Sequence, residues 1–467
     1  MKINKKILIS IIGATLFSCA KVTNQVPAST ITPTNFYKTA SDADNAINAC
    51  YDALQGSPVN YEIWGDGRAD LLGASSRSQS NDLQVISGNV SSTNGYDSWA
   101  SLYSGINRCN SVIKNVPTIT DPSLASREGR IMGEAYFLRG LFYFYLARTF
   151  ETPPLILQPY EGISADVFPK NSDRATIFAQ VEKDFLTALP LVPDLPFADL
   201  IENKGKTTKG AINSALADLY LWEKKYQQAA DAANAVITSA AGYTLVSGAN
   251  FATIFTARNT SESILEVQYN YTFLEGNNPN GISDKFLPIG GSLTAGNLYY
   301  QPTAAIMNAL PATDMRSAIT YKNTGAVPAP FRDANTLYIA KYPGNIAGGI
   351  LYQDNDRIIY RLAEIILFRA EALNELGQTP AAIILLNQIR TRAGIANTTA
   401  TTQADVRLAI ESERFAELAY EGKRYFDLVR TGRYAAVTGF ANPNYVRWPI
   451  PAGELILNSN LVQNPGY

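Results

Sequence analysis

Apolar side chains recur every three or four residues along most of this chain, which is the spacing of helices that bury one face. The first such helix has Ser41 as its expected N-cap and Asp44 in its first turn, as in a capping box. A second helix is predicted over 98–116. The stretch 127–150 is apolar on nearly all sides after Ala135, so we expect a long helix at the centre of the fold.

Two further segments predict pairs of helices. The segment 210–237 breaks near Lys224 and Lys225, and small and aromatic residues alternate along it. This alternation is similar to tetratricopeptide repeats, in which a large ring on one helix packs on alanines of its partner. The second pair covers 356–394, and Gly377 marks its turn because glycine readily adopts the left-handed conformation that ends a helix.

A long segment without helical spacing lies between these pairs. Residues 241–350 are rich in Gly, Asn, Pro and Thr and contain only short strand-like runs. Long irregular segments on a regular scaffold often carry function. The sequence therefore predicts a mainly α fold. Tetratricopeptide-like helix pairs in 41–240 and 351–467 form the scaffold, and a large irregular region of loops and short strands forms the expected ligand face.

The N-terminus has the pattern of an export signal. Lys2, Lys5 and Lys6 precede an apolar run over 7–17, about half the length that crosses a bilayer. The run ends in the letters LFSC, which resemble the lipobox of bacterial lipoproteins. In that class of signal the cysteine, here Cys19, becomes the acylated first residue of the mature protein. A plain signal peptide with an incidental cysteine is the alternative.

These features divide the chain into three parts. We expect a lipoprotein signal peptide over 1–18, a lipidated polar tether over 19–40 that begins with acylated Cys19, and a single globular domain over 41–467. Two or three acyl chains anchor a protein stably, whereas one does not.

Two more cysteines lie within the expected domain. Export into an oxidising compartment would allow Cys50 and Cys109 to pair. Both lie on apolar helical stripes, so buried free thiols are the simpler interpretation. The sequence leaves the pairing open.

Composition excludes several classes of function. The chain has no histidine, which removes the commonest general base and the commonest zinc ligand and excludes every Ser–His or Cys–His nucleophile. The formal net charge is −2, so there is no electrostatic case for nucleic-acid binding. No P-loop or G-x-G-x-x-G motif occurs, and we expect no cofactor. The 26 Tyr, 19 Phe and 4 Trp suit a binding surface.

The most specific motifs lie in the last third of the chain. Residues 409–433 have the sequence AIESERFAELAYEGKRYFDLVRTGR, and residues 448–467 have WPIPAGELILNSNLVQNPGY. Together with GEAYFLRGLFYFYLARTF and the lipobox with its polar tether, these segments resemble the SusD/RagB family of nutrient-binding outer-membrane lipoproteins of Bacteroidetes-type bacteria.

The resemblance implies a function. A protein of this family is a surface-exposed lipoprotein of the outer membrane that binds a nutrient, most often a glycan, and delivers it to a TonB-dependent channel of the SusC type. It breaks no bond in its ligand. Two alternatives stay open: a surface glycoside hydrolase that uses paired carboxylates, and a structural partner of the channel that contacts no ligand.

Three glutamates in the first motif decide between binding and hydrolysis. Glu413, Glu417 and Glu421 share one helix face, and two carboxylates about 5–6 Å apart can do glycosidase chemistry. However, Arg414 and Arg424 stand three residues from Glu417 and Glu421. Pairing with a cation lowers the pKa of a carboxyl group, which is the wrong direction for a general acid. We therefore expect a structural ion-pair network.

The ligand site is expected at aromatic residues outside the periodic helices. Sugar rings stack on flat aromatic side chains, and their hydroxyls need polar neighbours. Tyr96, Tyr299 and Tyr300 meet both conditions and are the first candidates. The further candidates are Trp64, Asp66, Arg68, Asn94, Asp97 and Tyr271. For each of these residues the alternative role is a packed anchor of its loop.

Overall fold

The computed structural model of this protein describes residues 36–56, 58–161, 167–194, 200–270, 272, 281–290, 296–326, 331–347, 350–440 and 442–467. The expected signal peptide, Cys19 and Tyr271 lie outside these residues. No helix in the part of the chain that the structure describes is both long and apolar enough to cross a membrane.

The described chain is mainly helical, as the sequence predicts. The helices are α1 (Ala40–Gln55), α2 (Pro58–Asp66), α3 (Ser80–Ile86), α4 (Ala100–Asn115), α5 (Glu128–Phe150), α6 (Arg174–Ala188), α7 (Leu200–Gly205), α8 (Lys209–Trp222), α9 (Tyr226–Ile237), α10 (Thr253–Thr256), α11 (Ile282–Phe286), α12 (Ala304–Ala309), α13 (Ser317–Thr320), α14 (Leu362–Glu375), α15 (Thr379–Arg392), α16 (Gln403–Glu417), α17 (Arg424–Arg430), α18 (Tyr434–Thr438) and α19 (Ala452–Leu457).

The strands are short and pair in twos. They are β1 (Leu72–Ala74), β2 (Ser263–Val267), β3 (Tyr300–Pro302), β4 (Tyr321–Asn323), β5 (Leu337–Ile339), β6 (Asn345–Ala347), β7 (Ile350–Tyr352) and β8 (Arg357–Arg361). The antiparallel pairs are β1 with β3, β2 with β8, β4 with β5 and β6 with β7.

Neighbouring helices pack on one another to form the scaffold. Helix α1 packs on α4, α4 on α5 and α5 on α6, while α8 packs on α9, α9 on α14 and α14 on α15 and α16. All side chains of α5 from Phe137 to Phe150 are buried, which confirms the predicted central helix. Its buried cations are paired: Arg139 contacts Asp184 of α6 at 2.7 Å, and a second arginine of α5 contacts α8. The central helix therefore carries no unpaired arginine where water is excluded.

The predicted break within 210–237 is confirmed. Helix α8 ends at Trp222 and α9 begins at Tyr226, and Lys224 between them has a left-handed φ of 57°. Gly377, with a φ of 77°, ends α14 as expected.

Two predicted helix starts are wrong. Thr39, not Ser41, caps α1, and it forms the capping box with Asp42. The same sequence pattern occurs in two overlapping frames, and burial of Ala40 selects the earlier one. Residues 357–361, predicted as helix, form strand β8, because this run of β-branched and aromatic residues pairs with β2 and is buried along its whole length.

Cys50 on α1 and Cys109 on α4 are both buried, and both are free thiols in this structure. Packing of α1 on α4 accounts for their burial, because both cysteines lie on the apolar stripes by which these helices meet.

Candidate ligand-binding site

Strand pairing brings two distant segments of the chain together. Ala74 at the end of β1 pairs with Tyr300 at the start of β3. Next to this ladder, the hydroxyls of Ser75 and Ser78 donate hydrogen bonds of 2.5 and 2.6 Å to the carbonyls of Leu298 and Tyr299. The backbone at the two tyrosines is therefore held on the loop that follows β1.

Tyr96 reaches the same place from a third segment. The side chain of Asn94 accepts a hydrogen bond of 2.9 Å from the Tyr96 N–H, which fixes a tight turn before α4. The Tyr96 hydroxyl then donates a hydrogen bond of 2.6 Å to Asp82 Oδ1 on α3. Burial raises the pKa of Tyr96, and the neighbouring Asp82 raises it further. Tyr96 is thus a neutral hydrogen-bond donor at every physiological pH.

A lysine lies between the tyrosines. Lys285 of α11 has its Nζ atom 4.5 Å from the ring centroid of Tyr299 and 5.4 Å from that of Tyr96. An ammonium group at such distances is attracted by the electron-rich ring faces. We call Tyr96, Tyr299, Tyr300, Asp82 and Lys285 the tyrosine cluster.

The three tyrosines differ in exposure. Tyr300 is fully buried, with its ring 6.3 Å from the ring of Phe286 at an angle of 70°. Tyr96 is only 8% exposed, whereas Tyr299 is half-buried. Tyr96 and Tyr300 are packed beneath the surface, which matches the alternative role of a packed anchor for these two residues. Tyr299 is the ring of the cluster that solvent reaches.

Two polar side chains, Asn297 and Asp284, are close in the chain to Tyr299 and Lys285. Asn297 donates a hydrogen bond of 2.7 Å from its Nδ2 to Asp284 Oδ1, and both residues are half-buried. Burial raises the pKa of Asp284, and Lys285 partly offsets the effect. Lys285, Asp284 and Asp82 cannot be predicted from the sequence, since nothing in the local pattern distinguishes them from ordinary surface charges.

Trp64 and Asp66 lie on helix α2, so the expectation of loop residues is wrong for these two, whereas Arg68 lies in the turn that follows the helix. All three are fully buried, at the end of α2 and just beyond it. The Trp64 indole N–H donates a hydrogen bond of 2.7 Å to the Tyr96 carbonyl. Arg68 donates to the carbonyls of Gly88 and Arg447, at 3.2 and 2.7 Å.

Asp66 has a structural contact of its own. Its carboxylate accepts the backbone N–H groups of Gly422, Lys423 and Arg424 at 2.9, 3.0 and 2.9 Å. These donors stand at the start of α17, where a helix leaves its N–H groups without intrahelical partners. Asp66 therefore caps a helix from a distant part of the chain.

Asn94 and Asp97 are buried beside Tyr96. The Asn94 amide donates to Gln84 and to the carbonyl of Asn81, both at 3.1 Å, so its polar atoms serve the turn. Asp97 Oδ2 has no hydrogen-bond partner among the described residues. Burial raises the pKa of Asp97 to about 7. Tyr271, the remaining candidate, lies outside the described residues.

The three glutamates of the C-terminal motif form a buried ion-pair network. Glu413 accepts from Arg316 at 2.6 Å, Glu417 accepts from Arg316 and Arg361 at 3.0 and 2.5 Å, and Glu421 accepts from Arg361 at 2.8 Å. The expected local partners are wrong. Arg414 pairs with Asp427 and Arg424 pairs with Asp70, while cations from distant segments occupy the glutamates.

The pKa values of this network follow the prediction. Burial alone would raise the pKa of Glu421, but Arg361 and Lys341 overcome that effect and lower it to about 2. The same balance, with Arg392 and Arg361 as the leading cations, holds the pKa of Glu417 well below its usual range. A carboxyl group ionised so firmly cannot act as a general acid near neutral pH. The network supports the fold.

Known proteins of similar sequence decide the family. A model of the SusD family matches residues 299–446, and a second, SusD-like model, described as starch-binding associating with outer membrane, matches residues 25–221. The chain belongs to the SusD/RagB family.

Members of the SusD/RagB family resemble this chain over its whole length or over part of it. SusD-like protein P38 of Formosa agariphila is 28% identical, and the match covers 99% of this chain and 98% of that protein. The starch-binding protein SusD of Bacteroides thetaiotaomicron is 34% identical over 128 residues, which cover 25% of this chain and 22% of that protein.

A solved structure of a laminarin binding SusD-like protein is 26% identical. It superposes with a TM-score of 0.78 and covers 92% of this chain and 100% of its own. The matched SusD/RagB proteins with described activities are binding proteins, which confirms the expectation that this chain is not an enzyme.

Proposed function

We propose that this SusD/RagB protein binds an oligosaccharide or polysaccharide at the tyrosine cluster. The observation that carries the proposal is the half-buried ring of Tyr299, with Lys285 at 4.5 Å and the amide of Asn297 and the carboxyl group of Asp284 nearby. A flat ring at the surface suits the C–H face of a sugar, and amide, carboxyl and ammonium groups suit its hydroxyls.

The buried members of the cluster have a supporting role in this proposal. The hydrogen bond between Tyr96 and Asp82 fixes the buried ring that Lys285 contacts. Tyr300 fixes the start of β3 directly after Tyr299. A binding ring whose backbone and neighbours are fixed loses little freedom when the ligand arrives. The described affinity of one matched relative for laminarin and of another for starch favours a glycan over a peptide.

Delivery and anchoring complete the proposal. The bound glycan is handed to a TonB-dependent transporter of the SusC type in the outer membrane. Acylated Cys19 anchors the protein to that membrane, facing the cell exterior, through the tether over 19–40. Three observations support this part of the proposal. They are the family of the chain, the outer-membrane association in the description of the family model that matches residues 25–221, and the lipobox at the end of a short apolar run.

The binding proposal is tested by isothermal titration with laminarin and starch oligosaccharides. Tyr299→Ala should weaken binding of whichever glycan the wild type takes by about 1–3 kcal/mol, the range for an apolar side chain that leaves water. Tyr226→Ala is the matched control, since Tyr226 is also half-buried but lies on the scaffold helix α9. Equal binding by both variants and the wild type would place the site elsewhere.

The alternatives predict other results. A glycoside hydrolase would release reducing ends from the same glycans, and we expect none. A purely structural partner of the transporter would bind no glycan in the titration. Cys19→Ala tests the anchor: the variant should be soluble or retain its signal peptide, and a processed variant that still partitions with membranes would contradict lipidation.

A further inference from the structure

The amide side chains of Asn458 and Asn460, in the closing motif over 448–467, bind the backbone of a distant segment. Asn460 donates a hydrogen bond of 2.7 Å to the carbonyl of Phe168, and Asn458 donates one of 2.8 Å to the carbonyl of Pro169. Asn171 exchanges two hydrogen bonds with the backbone of Val462, at 2.8 and 3.1 Å. The C-terminal segment and the segment around Phe168 are thus held together as one surface.

The apolar side chains of the same segments point outward. The exposed fractions are 83% for Ile456, 72% for Leu457, 71% for Val462, 53% for Phe168 and 42% for Tyr160. We call these five residues the apolar face. Leu457, Phe168 and Tyr160 border a cleft of about 220 Å³ that is also lined by Trp99, Tyr103 and Leu461. Exposed large apolar residues on two segments that are joined by hydrogen bonds indicate an interaction surface.

Helix α4 connects the apolar face to the start of the described chain. Tyr103 of α4 lines the cleft, and Asn107, one turn further on, accepts the backbone N–H of Tyr160 at 2.8 Å. Ser111, another turn on, accepts a hydrogen bond of 3.0 Å from the hydroxyl of Tyr37. Tyr103 and Ser111 are about 12 Å apart along the helix. The face and the exit of the tether therefore lie on the same side of the protein.

The tether determines which molecules are close to the apolar face. About 17 residues separate Cys19 from Phe36, the first described residue, and they reach about 60 Å at most. A tether of this length keeps the protein close to the membrane and to proteins embedded there, at a high effective concentration. The face is therefore within reach of the extracellular rim of an outer-membrane protein.

The chemistry of the face favours a protein partner. Ile456, Leu457 and Val462 offer neither a flat ring nor a hydrogen-bonding group, so they suit a sugar poorly. Glu454 borders the cleft, and a face that binds lipid headgroups would need basic residues instead. Apolar and aromatic side chains around a cleft are typical of the centre of a protein interface.

We infer that the apolar face docks on an apolar extracellular surface of the TonB-dependent transporter. The inference rests on the proposed function, which supplies that partner, and adds the residues through which this chain contacts it. Ile456 and Leu457 form the exposed edge of the contact, and the cleft receives a side chain of the transporter.

Photo-crosslinking tests the inference in cells that make both proteins. A photoreactive amino acid at position 457 of the full-length lipoprotein should yield a crosslinked product that mass spectrometry identifies as a TonB-dependent transporter. The same amino acid at position 384 is the matched control, because Ile384 of α15 is 71% exposed yet remote from the closing motif in the chain. Leu457→Asp should lower co-purification of the transporter at least tenfold, and Ile384→Asp should leave it unchanged.

Each other outcome overturns the inference. A crosslinked product of twice the chain mass would show that a second copy covers the face, and lipid adducts would show that the membrane does. Another outcome is equal recovery of the transporter with the wild type and with Leu457→Asp, without a crosslink from position 457. That result would refute docking through the apolar face but leave the proposed function standing. Failure to recover any transporter with the wild type would refute the proposed function as well. Unchanged glycan titration of Leu457→Asp would verify that the variant is folded.

Discussion

Arg361 donates a hydrogen bond of 2.5 Å to Glu417 at a point that water does not reach. The same guanidinium also contacts Glu262 at 2.7 Å and Glu421 at 2.8 Å, so one cation joins three segments of the chain. A buried charge of this kind stabilises the fold only while its partners remain, because desolvation is costly for each ion by itself.

Glu417→Gln should lower the free energy of unfolding by about 3–5 kcal/mol, because it leaves Arg361 and its neighbours with excess positive charge in the interior. Chemical denaturation at pH 7 measures the effect. Glu375→Gln is the control, since Glu375 pairs with the more exposed Arg407 and should cost less than about 1 kcal/mol. Similar losses for both variants would show that burial of the network contributes nothing.

The network should also set the acid limit of stability. The pKa of Glu421 is lowered to about 2 in the fold, whereas an unfolded glutamate titrates near 4.5. The unfolded chain binds more protons between these values, so the stabilisation is complete above pH 4.5 and is lost as the pH falls towards 2. Thermal unfolding from pH 6 to pH 3 should show a steep fall for the wild type and a shallower one for Glu421→Gln. Parallel curves would contradict the assignment.

Asp97 should make stability depend on pH in the opposite direction from Glu421. Burial raises its pKa to about 7, so the folded chain binds more protons than the unfolded chain between about pH 4 and pH 7. Stability from this group is present in acid and is lost as the pH rises through 7. Asp97→Asn should therefore gain about 1–3 kcal/mol relative to the wild type at pH 8 and almost nothing at pH 4.5. A gain that is equal at both pH values would show that Asp97 does not titrate in this range.

Tyr96→Phe tests the floor of the tyrosine cluster. The variant removes the 2.6 Å hydrogen bond to buried Asp82 and should cost about 1–3 kcal/mol of stability. Because this hydrogen bond holds the Tyr96 ring beside Lys285, which also contacts Tyr299, glycan affinity should fall as well. Tyr321→Phe, which loses a hydrogen bond to the carbonyl of Leu310, is the control and should leave affinity unchanged. Loss of stability without loss of affinity would separate the floor from the site.

The sequence predicts features that depend on neighbouring residues. The central helix and the break near Lys224 follow from helical spacing, which is a local property. The strand over 357–361 was missed because its partner β2 lies almost a hundred residues away. Likewise, spacing along the helix pairs Arg414 with Glu417, although the partners of Glu417 come from residues as distant as Arg316.

The candidate site shows the same limit. Residue type and loop position identify Tyr96, Tyr299 and Tyr300, and the structure brings them together. Which ring stays at the surface depends on packing against Phe286 and Asp82 from other segments. Nothing local could have ranked Tyr299 above its neighbour, nor identified Lys285 as the residue between the rings.

The contact between Asp66 and the start of α17 determines when the fold can be completed. The carboxylate in α2 accepts backbone N–H groups that are up to 358 residues further along the chain. Closing so long a loop is slow, and its entropic cost precedes any reward from the contact. The first third of the chain therefore cannot reach its final packing until the last third has been made. The proposed export of this chain through a membrane fits this order, since the early segments cannot finish folding before the late ones arrive.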